Sequence, residues 1–160
     1  MSDTQIKTDE FWMQRALESA ITARDEGEVP IGACLIDNEG NLLAAAGNKT
    51  RQTNDPTAHA EVLVLREAAQ KISNYRLTET VLYTTIEPCA MCAGALVTAR
   101  VKRLVFGARD ERFGAVETLF RICDSSSLNH RIEIASSVLE DKCRALMQDF
   151  FRQKRQKMEN

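Results

Sequence analysis

The chain has 160 residues, of which 44% are hydrophobic and 28% charged, with a formal net charge of −2. This length predicts one domain with a core that needs no disulfides, and the composition is ordinary for a globular protein. No apolar run approaches the ~18 residues of a membrane span. The polar, acidic start of the chain predicts no targeting peptide, so we expect a cytoplasmic protein whose five cysteines are reduced.

The first half of the chain is predicted to contain two helices around a β-hairpin. Residues 9–24 repeat apolar side chains at helical spacing behind Asp9, which can cap a helix. Two short apolar runs, 31–36 and 42–46, flank the turn sequence DNEGN and indicate a hairpin. The second helix is expected over residues 55–71, with Asp55 as its cap and a proline at its first position.

The second half is predicted to alternate strands and helices. Residues 80–86 and 103–108 are rich in β-branched and aromatic side chains, which favour strands. A helix is expected between them, starting behind Pro88. Such alternation predicts an α/β layered domain with a mixed sheet.

The remaining segments follow the second of these strands. Residues 112–130 are expected to be loop-rich with one short helical piece, and residues 130–136 to form a last strand. The tail, from about 138 to 157, carries an apolar stripe at helical spacing and is predicted to be a helix.

Three side chains of metal-binding type stand at two of the predicted helix starts. Cys89 and Cys92 lie at i and i+3, on one face of the first helical turn, where the helix dipole favours the zinc-binding thiolate. His59 lies near the start of the preceding helix. If these helix starts meet at strand ends, the three residues can hold one Zn²⁺ and leave the fourth tetrahedral position to water, as in catalytic zinc sites.

Glu61 suits the acid–base step that such a site requires. A carboxylate there could take a proton from the zinc-activated water and deliver it to a leaving group. Side chains at i and i+2 diverge on a helix. We therefore expect His59 and Glu61 to converge only if they lie at the very start of their helix.

Two alternative roles are open for the C-x-x-C motif, which by itself also fits a redox pair or a structural metal site. A structural site would require a fourth ligand, which His130, Cys34, Cys123 or Cys143 could supply. Cys34 in an apolar strand and Cys143 on an apolar helix stripe are typical of core thiols. The combination of H-x-E with a later P-C-x-x-C is, however, the known signature of zinc deaminases.

On these motifs the chain resembles the bacterial tRNA-specific adenosine deaminases of the cytidine-deaminase-like superfamily. The zinc motifs alone also fit cytidine, deoxycytidylate, guanine and riboflavin-pathway deaminases. The string EPCAMCAGA, followed by FGARD and later NHR, narrows the resemblance to the tRNA enzymes. It implies a three-layer α/β/α sandwich with a five-stranded mixed sheet, in which residues 1–160 form a single zinc-dependent deaminase domain. It also implies a homodimer with the active site near the subunit interface.

The resemblance further implies an activity, the hydrolytic deamination of adenosine to inosine at wobble position 34 of a tRNA, typically tRNA-Arg(ACG). One zinc per subunit would be held by His59, Cys89 and Cys92, and Glu61 would shuttle protons while water adds at C6 of a splayed-out adenine and ammonia leaves.

The tRNA anticodon stem-loop is the partner that the resemblance implies. Val29, Ile31 and Ala60 would form the pocket wall, and Asn48 would contact the flipped nucleotide. The residues expected to meet flanking nucleotides are Asp110, Asn129, Phe150, Phe151 and Arg155. The basic residues after the two phenylalanines suit single-stranded RNA, although basic residues near a helix C-terminus also complement its dipole.

Two rival functions remain open from the residues alone. One is a deaminase of a free base or nucleoside, and the other is a zinc-stabilised RNA-binding module without activity. Glu61 distinguishes an enzyme from the RNA-binding module, because a structural zinc site has no need of a carboxylate at that position.

Overall fold

The computed structural model describes residues 7–159. Residues 1–6 and residue 160 lie outside this range. The prediction that the start of the chain carries no targeting peptide therefore falls partly outside the described residues. The helices are α1 Asp9–Asp25, α2 Thr50–Thr53, α3 Ala60–Ile72, α4 Ala90–Ala99 and α5 Glu140–Glu159, and the strands are β1 Gly32–Ile36, β2 Leu42–Gly47, β3 Val81–Ile86, β4 Arg103–Ala108 and β5 Glu133–Ala135.

The five strands form one mixed sheet in the order β2-β1-β3-β4-β5. Strand β1 is antiparallel to both β2 and β3, whereas β3, β4 and β5 run parallel to one another. All five residues of β1 are buried, which is typical of a strand covered on both faces. The predicted five-stranded mixed sheet is confirmed.

Helices cover both faces of this sheet. Because side chains alternate along a strand, Cys34 faces α1 and α5, where it packs in a cluster with Met13 and Cys143. Its neighbour Leu35 faces the other way, into a larger cluster with residues of α3 and α4 and with Phe106 of β4. The predicted three-layer α/β/α sandwich is therefore confirmed, and Cys34 and Cys143 are buried in its core.

Helix α1 begins one residue earlier than a cap at Asp9 would place it. Thr8 is the capping residue, and its hydroxyl accepts a hydrogen bond from Phe11 N at 3.2 Å. The predicted capping role of Asp9 is wrong, because its carboxylate accepts two hydrogen bonds from the Arg103 guanidinium, both at 2.8 Å, and one from the Tyr83 hydroxyl at 2.7 Å. Asp9 thus ties α1 to the centre of the sheet.

The predicted start of α3 at Asp55 is also wrong. The Asp55 carboxylate accepts hydrogen bonds from the backbone and hydroxyl of Thr57, at 2.8 and 2.7 Å, so it closes a local turn instead of capping the helix. The helix begins at Ala60, with His59 in the capping position. The short helix α2, just before this turn, was not predicted.

Residues 109–132, all within the described range, contain no helix, so the helical piece expected over residues 112–130 is absent. The last strand is limited to Glu133–Ala135. Leu139 has φ 51°, a left-handed conformation that an α-helix cannot include, and α5 begins directly after it. Across residues 7–159 no helix is both long and apolar enough to cross a membrane.

Candidate active site

The three predicted metal-binding side chains meet at the N-termini of α3 and α4. His59 and Cys89 are the residues immediately before these helices, both with extended backbone conformations. Cys92 lies in the first turn of α4 and is fully buried. His59 Nδ1 lies 3.6 Å from Cys89 Sγ and 3.5 Å from Cys92 Sγ. Of the described residues, this is the one group of three metal-binding side chains whose ligand atoms all lie within 4.8 Å of one another.

The spacing of these atoms fits a tetrahedral zinc ion. Zinc binds cysteine sulfur at about 2.3 Å and histidine nitrogen at about 2.0–2.1 Å, which in a tetrahedron separates nitrogen from sulfur by about 3.6 Å. The two observed distances match this value. A donor set of two thiols and one imidazole also suits zinc better than the hard cations, which prefer oxygen.

The two thiols differ sharply in acidity. A hydrogen bond from Cys92, together with one from His59, lowers the pKa of Cys89 to about 4. The hydrogen bond to Cys89, together with burial, raises the pKa of the Cys92 thiol. Cys89 is therefore the more acidic of the two thiols, and binding of a cation would displace the proton of Cys92.

Glu61 lies beside this cluster, where its carboxylate is hydrogen-bonded to Cys92. Its side chain is 4% exposed, and burial raises the pKa of its carboxyl group. Thr84 donates a hydrogen bond from its hydroxyl to Glu61 Oε1 at 3.3 Å. Because His59 precedes the helix and Glu61 lies in its first turn, the divergence expected at i and i+2 does not separate them.

The three predicted pocket-wall residues, Val29, Ile31 and Ala60, are joined through Asn48 next to His59. Asn48 donates its backbone N–H to Ile31 O at 3.1 Å, and Asn48 Oδ1 accepts a hydrogen bond from Ala60 N at 2.8 Å. Val29 is linked to the same wall, since its carbonyl accepts from Ile31 N at 2.8 Å. The structure therefore brings Val29, Ile31, Asn48 and Ala60 together at the start of α3.

Comparison with known proteins identifies the family to which this site belongs. Residues 7–155 match the family model of the MafB19-like deaminases. The tRNA-specific adenosine deaminase of Haemophilus influenzae is 45% identical over 148 residues, which cover 92% of this chain and 86% of that protein. The chain belongs to the tRNA-specific adenosine deaminases.

Two solved structures place this deaminase among its structural neighbours. One comes from work on A-to-I editing by tRNA:A34 deaminases at the wobble position of transfer RNA, with 41% identity, a TM-score of 0.81 and coverage of 84% of this chain and 97% of that one. The other is guanine deaminase from Nitrosomonas europaea, with 25% identity, a TM-score of 0.80 and coverage of 91% and 85%. The predicted resemblance to the tRNA enzymes is confirmed.

The predicted RNA-contacting residues of this deaminase are half-buried or exposed. The Asp110 carboxylate accepts hydrogen bonds from the backbone of Arg112 at 2.9 Å and Phe113 at 3.2 Å, so it closes a turn in its own loop. Asn129 is exposed, and its Oδ1 accepts a hydrogen bond from Arg100 at 3.0 Å.

The aromatic pair of α5 forms part of the surface of the deaminase. The rings of Phe150 and Phe151 meet edge to face with centroids 5.3 Å apart. Phe150 is half-buried, and Phe151 is 39% exposed. Lys154 Nζ lies 5.8 Å from the centroid of the Phe150 ring, and Arg155 is exposed.

Two buried acidic residues of the deaminase were missed by the sequence analysis. Glu28, which is fully buried, accepts hydrogen bonds from Arg51 N at 3.1 Å and Gln52 N at 2.9 Å and so caps α2. Glu87 accepts hydrogen bonds from the loop after β4. The available signal was an acidic residue close to a proline beside a strand, two residues before Pro30 for Glu28 and directly before Pro88 for Glu87. Glutamate is rarely buried unless it is paired.

Proposed function

We propose that this chain catalyses the zinc-dependent hydrolytic deamination of adenosine to inosine at wobble position 34 of tRNA-Arg(ACG). The observation that carries the proposal is the position of the Glu61 carboxylate, which is 4% exposed and is hydrogen-bonded to Cys92, one of three side chains whose spacing suits zinc. A redox pair or a structural metal site has no use for a buried carboxylate, whose desolvation is costly. A hydrolytic site needs one to move protons.

The chain's own residues supply binding and proton transfer. His59, Cys89 and Cys92 would hold one zinc, which as a Lewis acid lowers the pKa of a bound water to about 7. Glu61 accepts the proton of the attacking water and delivers a proton to the amino group that leaves C6 of adenine as ammonia. Thr84 fixes one oxygen of Glu61 by its hydrogen bond, which keeps the carboxylate in place between these steps.

The pocket wall selects and orients the nucleotide. The Oδ1 atom of Asn48 is occupied by Ala60 N, so the amide NH₂ is the group that Asn48 offers to a nucleotide. Val29 and Ile31, both half-buried, supply the apolar surface on which a splayed-out base rests. Ala60 is fully buried and fixes the Asn48 amide through its own backbone N–H. Flanking nucleotides meet Asp110, Asn129, Phe150, Phe151 and Arg155.

The tRNA substrate is supported by relatives. The 45% identical protein from Haemophilus influenzae is a tRNA-specific adenosine deaminase, and the 41% identical solved structure concerns tRNA:A34 deaminases. Because tRNA is its proposed substrate, we propose that the enzyme acts in the cytoplasm. We propose that it acts there as a homodimer in which residues 1–160 of each subunit form one deaminase domain.

Deamination of a free base is the second candidate function. It is favoured by the similarity to the guanine deaminase of Nitrosomonas europaea at a TM-score of 0.80. Its 25% identity is well below that of the tRNA enzymes, and we therefore rank it second.

The deciding experiment offers zinc-loaded protein four substrates separately. These are an anticodon stem-loop with ACG, the same stem-loop with guanosine at position 34, free guanine and cytidine. We expect inosine only at position 34 of the ACG stem-loop, read as guanosine after reverse transcription. Turnover of guanine with an unchanged stem-loop would establish the second candidate, and stem-loop binding without any deamination would establish a non-catalytic module.

A further inference from the structure

Glu87 organises the loop that follows β4. Its carboxylate is 3% exposed and accepts backbone hydrogen bonds from Asp110 at 3.1 Å, Val116 at 3.1 Å, Glu117 at 2.8 Å and Thr118 at 3.0 Å. The hydroxyl of Thr118 donates a fifth. Residues 109–118 contain no helix or strand, so these bonds replace the backbone pairing that regular structure would provide. Hydrogen bonds from backbone N–H groups to a carboxylate are among the stronger ones in proteins.

The same segment of chain also leads to the metal site. Glu87 lies between the end of β3 and Cys89, and it donates its own N–H to Ala108 O at 2.8 Å. Ala115 N donates to Pro88 O at 2.9 Å. Loop 109–118 is thus bonded to the backbone at Pro88, one residue before Cys89, and the strand residue that leads into the loop, Ala108, is bonded to the backbone of Glu87.

Gly114 is fitted closely to this arrangement. A Cβ atom there would overlap the Glu87 carboxylate and the carbonyl oxygen of Asp110. The loop therefore closes tightly around the carboxylate. The outer side of the same loop is exposed at Phe113, which is 65% accessible.

We propose that Glu87 is a positioning residue for substrate binding, because it fixes loop 109–118 to the segment that bears Cys89. The proposal rests on the proposed function, in which this loop meets RNA next to the zinc site. The loop presents Asp110 and Phe113 to the anticodon stem-loop as one preorganised surface. A loosened loop must be ordered by the RNA, and that ordering weakens binding without altering the chemical step.

The test compares Glu87→Gln with wild-type enzyme on the ACG stem-loop. The glutamine NH₂ group would face backbone N–H donors, so some of the bonds must break. We expect KM to rise about 10-fold or more, since a hydrogen bond to a charged group is worth a factor of at least this order, while kcat and zinc content stay within about 2-fold.

Glu117→Gln is the matched control, with the same charge change on the same loop. Its carboxylate pairs with the Arg109 side chain at 2.8 Å and does not hold the loop backbone. We expect its KM to stay within about 2-fold of wild type. Thr118→Val removes a single hydrogen bond to Glu87 and should raise KM in the same direction by a smaller factor. It serves as the test variant if Glu87→Gln does not fold.

Hydrogen exchange provides a readout that does not depend on activity. In Glu87→Gln the amides of residues 110 and 116–118 should exchange about 10-fold faster or more, while those of α4 keep their wild-type rates. If wild type deaminates no stem-loop, the proposed function fails, and unchanged exchange in the variant would separately refute the anchoring of the loop. The proposal is overturned if a folded variant has a wild-type KM, or if kcat falls in step with zinc content.

Discussion

Asn48 Oδ1 accepts a hydrogen bond from Ala60 N at 2.8 Å, which joins the end of β2 to the first residue of α3. His59, in the capping position of α3, makes no side-chain capping bond. The Asn48 oxygen therefore satisfies a helix N–H that would otherwise lack a partner. One buried amide thus holds the helix start and faces the proposed nucleotide site.

Asn48→Ala and Asn48→Asp should separate these two contributions. Alanine leaves Ala60 N buried without an acceptor, and we expect it to lower the free energy of unfolding by about 1–3 kcal/mol and also to abolish activity. Aspartate keeps the acceptor at a helix N-terminus, where a negative charge is favourable, but removes the NH₂ donor. It should retain near-wild-type stability and lose kcat/KM. Equal activity of Asn48→Asp and wild type would remove Asn48 from substrate binding; urea unfolding and stem-loop kinetics measure both properties.

Glu61→Gln should keep zinc and fold but lose deamination. The amide fills the same buried space without a group that accepts a proton at neutral pH, and general acid–base catalysis contributes about 10²–10⁴-fold. Because Glu61 serves more than one proton transfer, a loss at or above the upper limit is expected. Single-turnover deamination with saturating enzyme measures it. Substantial turnover by a zinc-loaded variant would assign the proton transfers to another group.

Metal analysis should find one zinc per subunit with two sulfur ligands, one nitrogen ligand and one further light atom. Cys89→Ser and His59→Ala should lose zinc, since each removes one of three ligands. Cys123→Ser is the matched control, because Cys123 is buried in the core and its thiol contacts Ala93 O at 3.9 Å. X-ray absorption gives the ligand set directly. A fourth protein ligand would contradict a catalytic site.

The site was predictable where a local pattern encodes it. The spacing of Cys89 and Cys92 and the H-x-E motif indicate ligands and a carboxylate without knowledge of the fold. The capping partners were not predictable in the same way. The hydrogen-bond partners of Glu87 lie between 23 and 31 positions later in the chain, and the helix that Asn48 caps begins twelve positions after it. These pairs therefore depend on which strand ends the sheet brings together.

Strands were predicted better than helix starts for a related reason. The burial of β1, β3 and β4 is visible in their apolar composition, and the predicted residues 103–108 match β4. Helix starts depend on single hydrogen bonds between competing partners. Asp55 has the chemistry of a cap but bonds to Thr57, and Asp9 bonds to Arg103, so neither caps the helix that follows it.

The Asp9–Arg103 pair should make stability depend on pH. Hydrogen bonding to Arg103 holds the pKa of Asp9 below its ordinary value of 3.8, although burial opposes the shift. The pair therefore stabilises the folded protein fully above pH 3.8 and loses its contribution as the pH falls through the lowered pKa. Asp9→Asn should lower the free energy of unfolding by about 1–2 kcal/mol at pH 7, and the difference from wild type should shrink in acid.

Asp25→Asn is the control for this pair, since Asp25 forms an exposed pair with Arg24. Such pairs contribute about 0–1 kcal/mol, so little change is expected at any pH. The free energy of unfolding of each variant is measured by urea unfolding at a series of pH values, down to the lowest pH at which the protein remains folded. A stability difference for Asp9→Asn that stays constant into acid would show that lost packing, and not charge, is responsible.

The end of α5 should supply RNA affinity without taking part in the chemical step. Each phosphate contact releases counterions, with a log–log salt slope of about −0.7 per contact for single strands. Lys154→Gln with Arg155→Gln should therefore weaken stem-loop binding and flatten this slope while kcat at saturating RNA stays near wild type. Lys71→Gln with Arg76→Gln makes the same charge change on the exposed surface around the end of α3 and should leave the slope unchanged.

Phe151→Ala should act through stacking instead of charge. Its ring is 39% exposed, and stacking on a base is worth about 1–3 kcal/mol, so affinity should fall by that amount with the salt slope unaltered. If the ring only packs against Phe150, 5.3 Å away between centroids, the substitution would lower the melting temperature and leave RNA affinity per folded molecule unchanged. Melting temperature and salt-dependent affinity are measured on the two double variants and on Phe151→Ala. Together they separate an RNA-binding helix end from one that only stabilises α5. A loss of stability without a loss of affinity would remove the tail from the RNA site and leave the roles of Glu61 and the metal cluster unaffected.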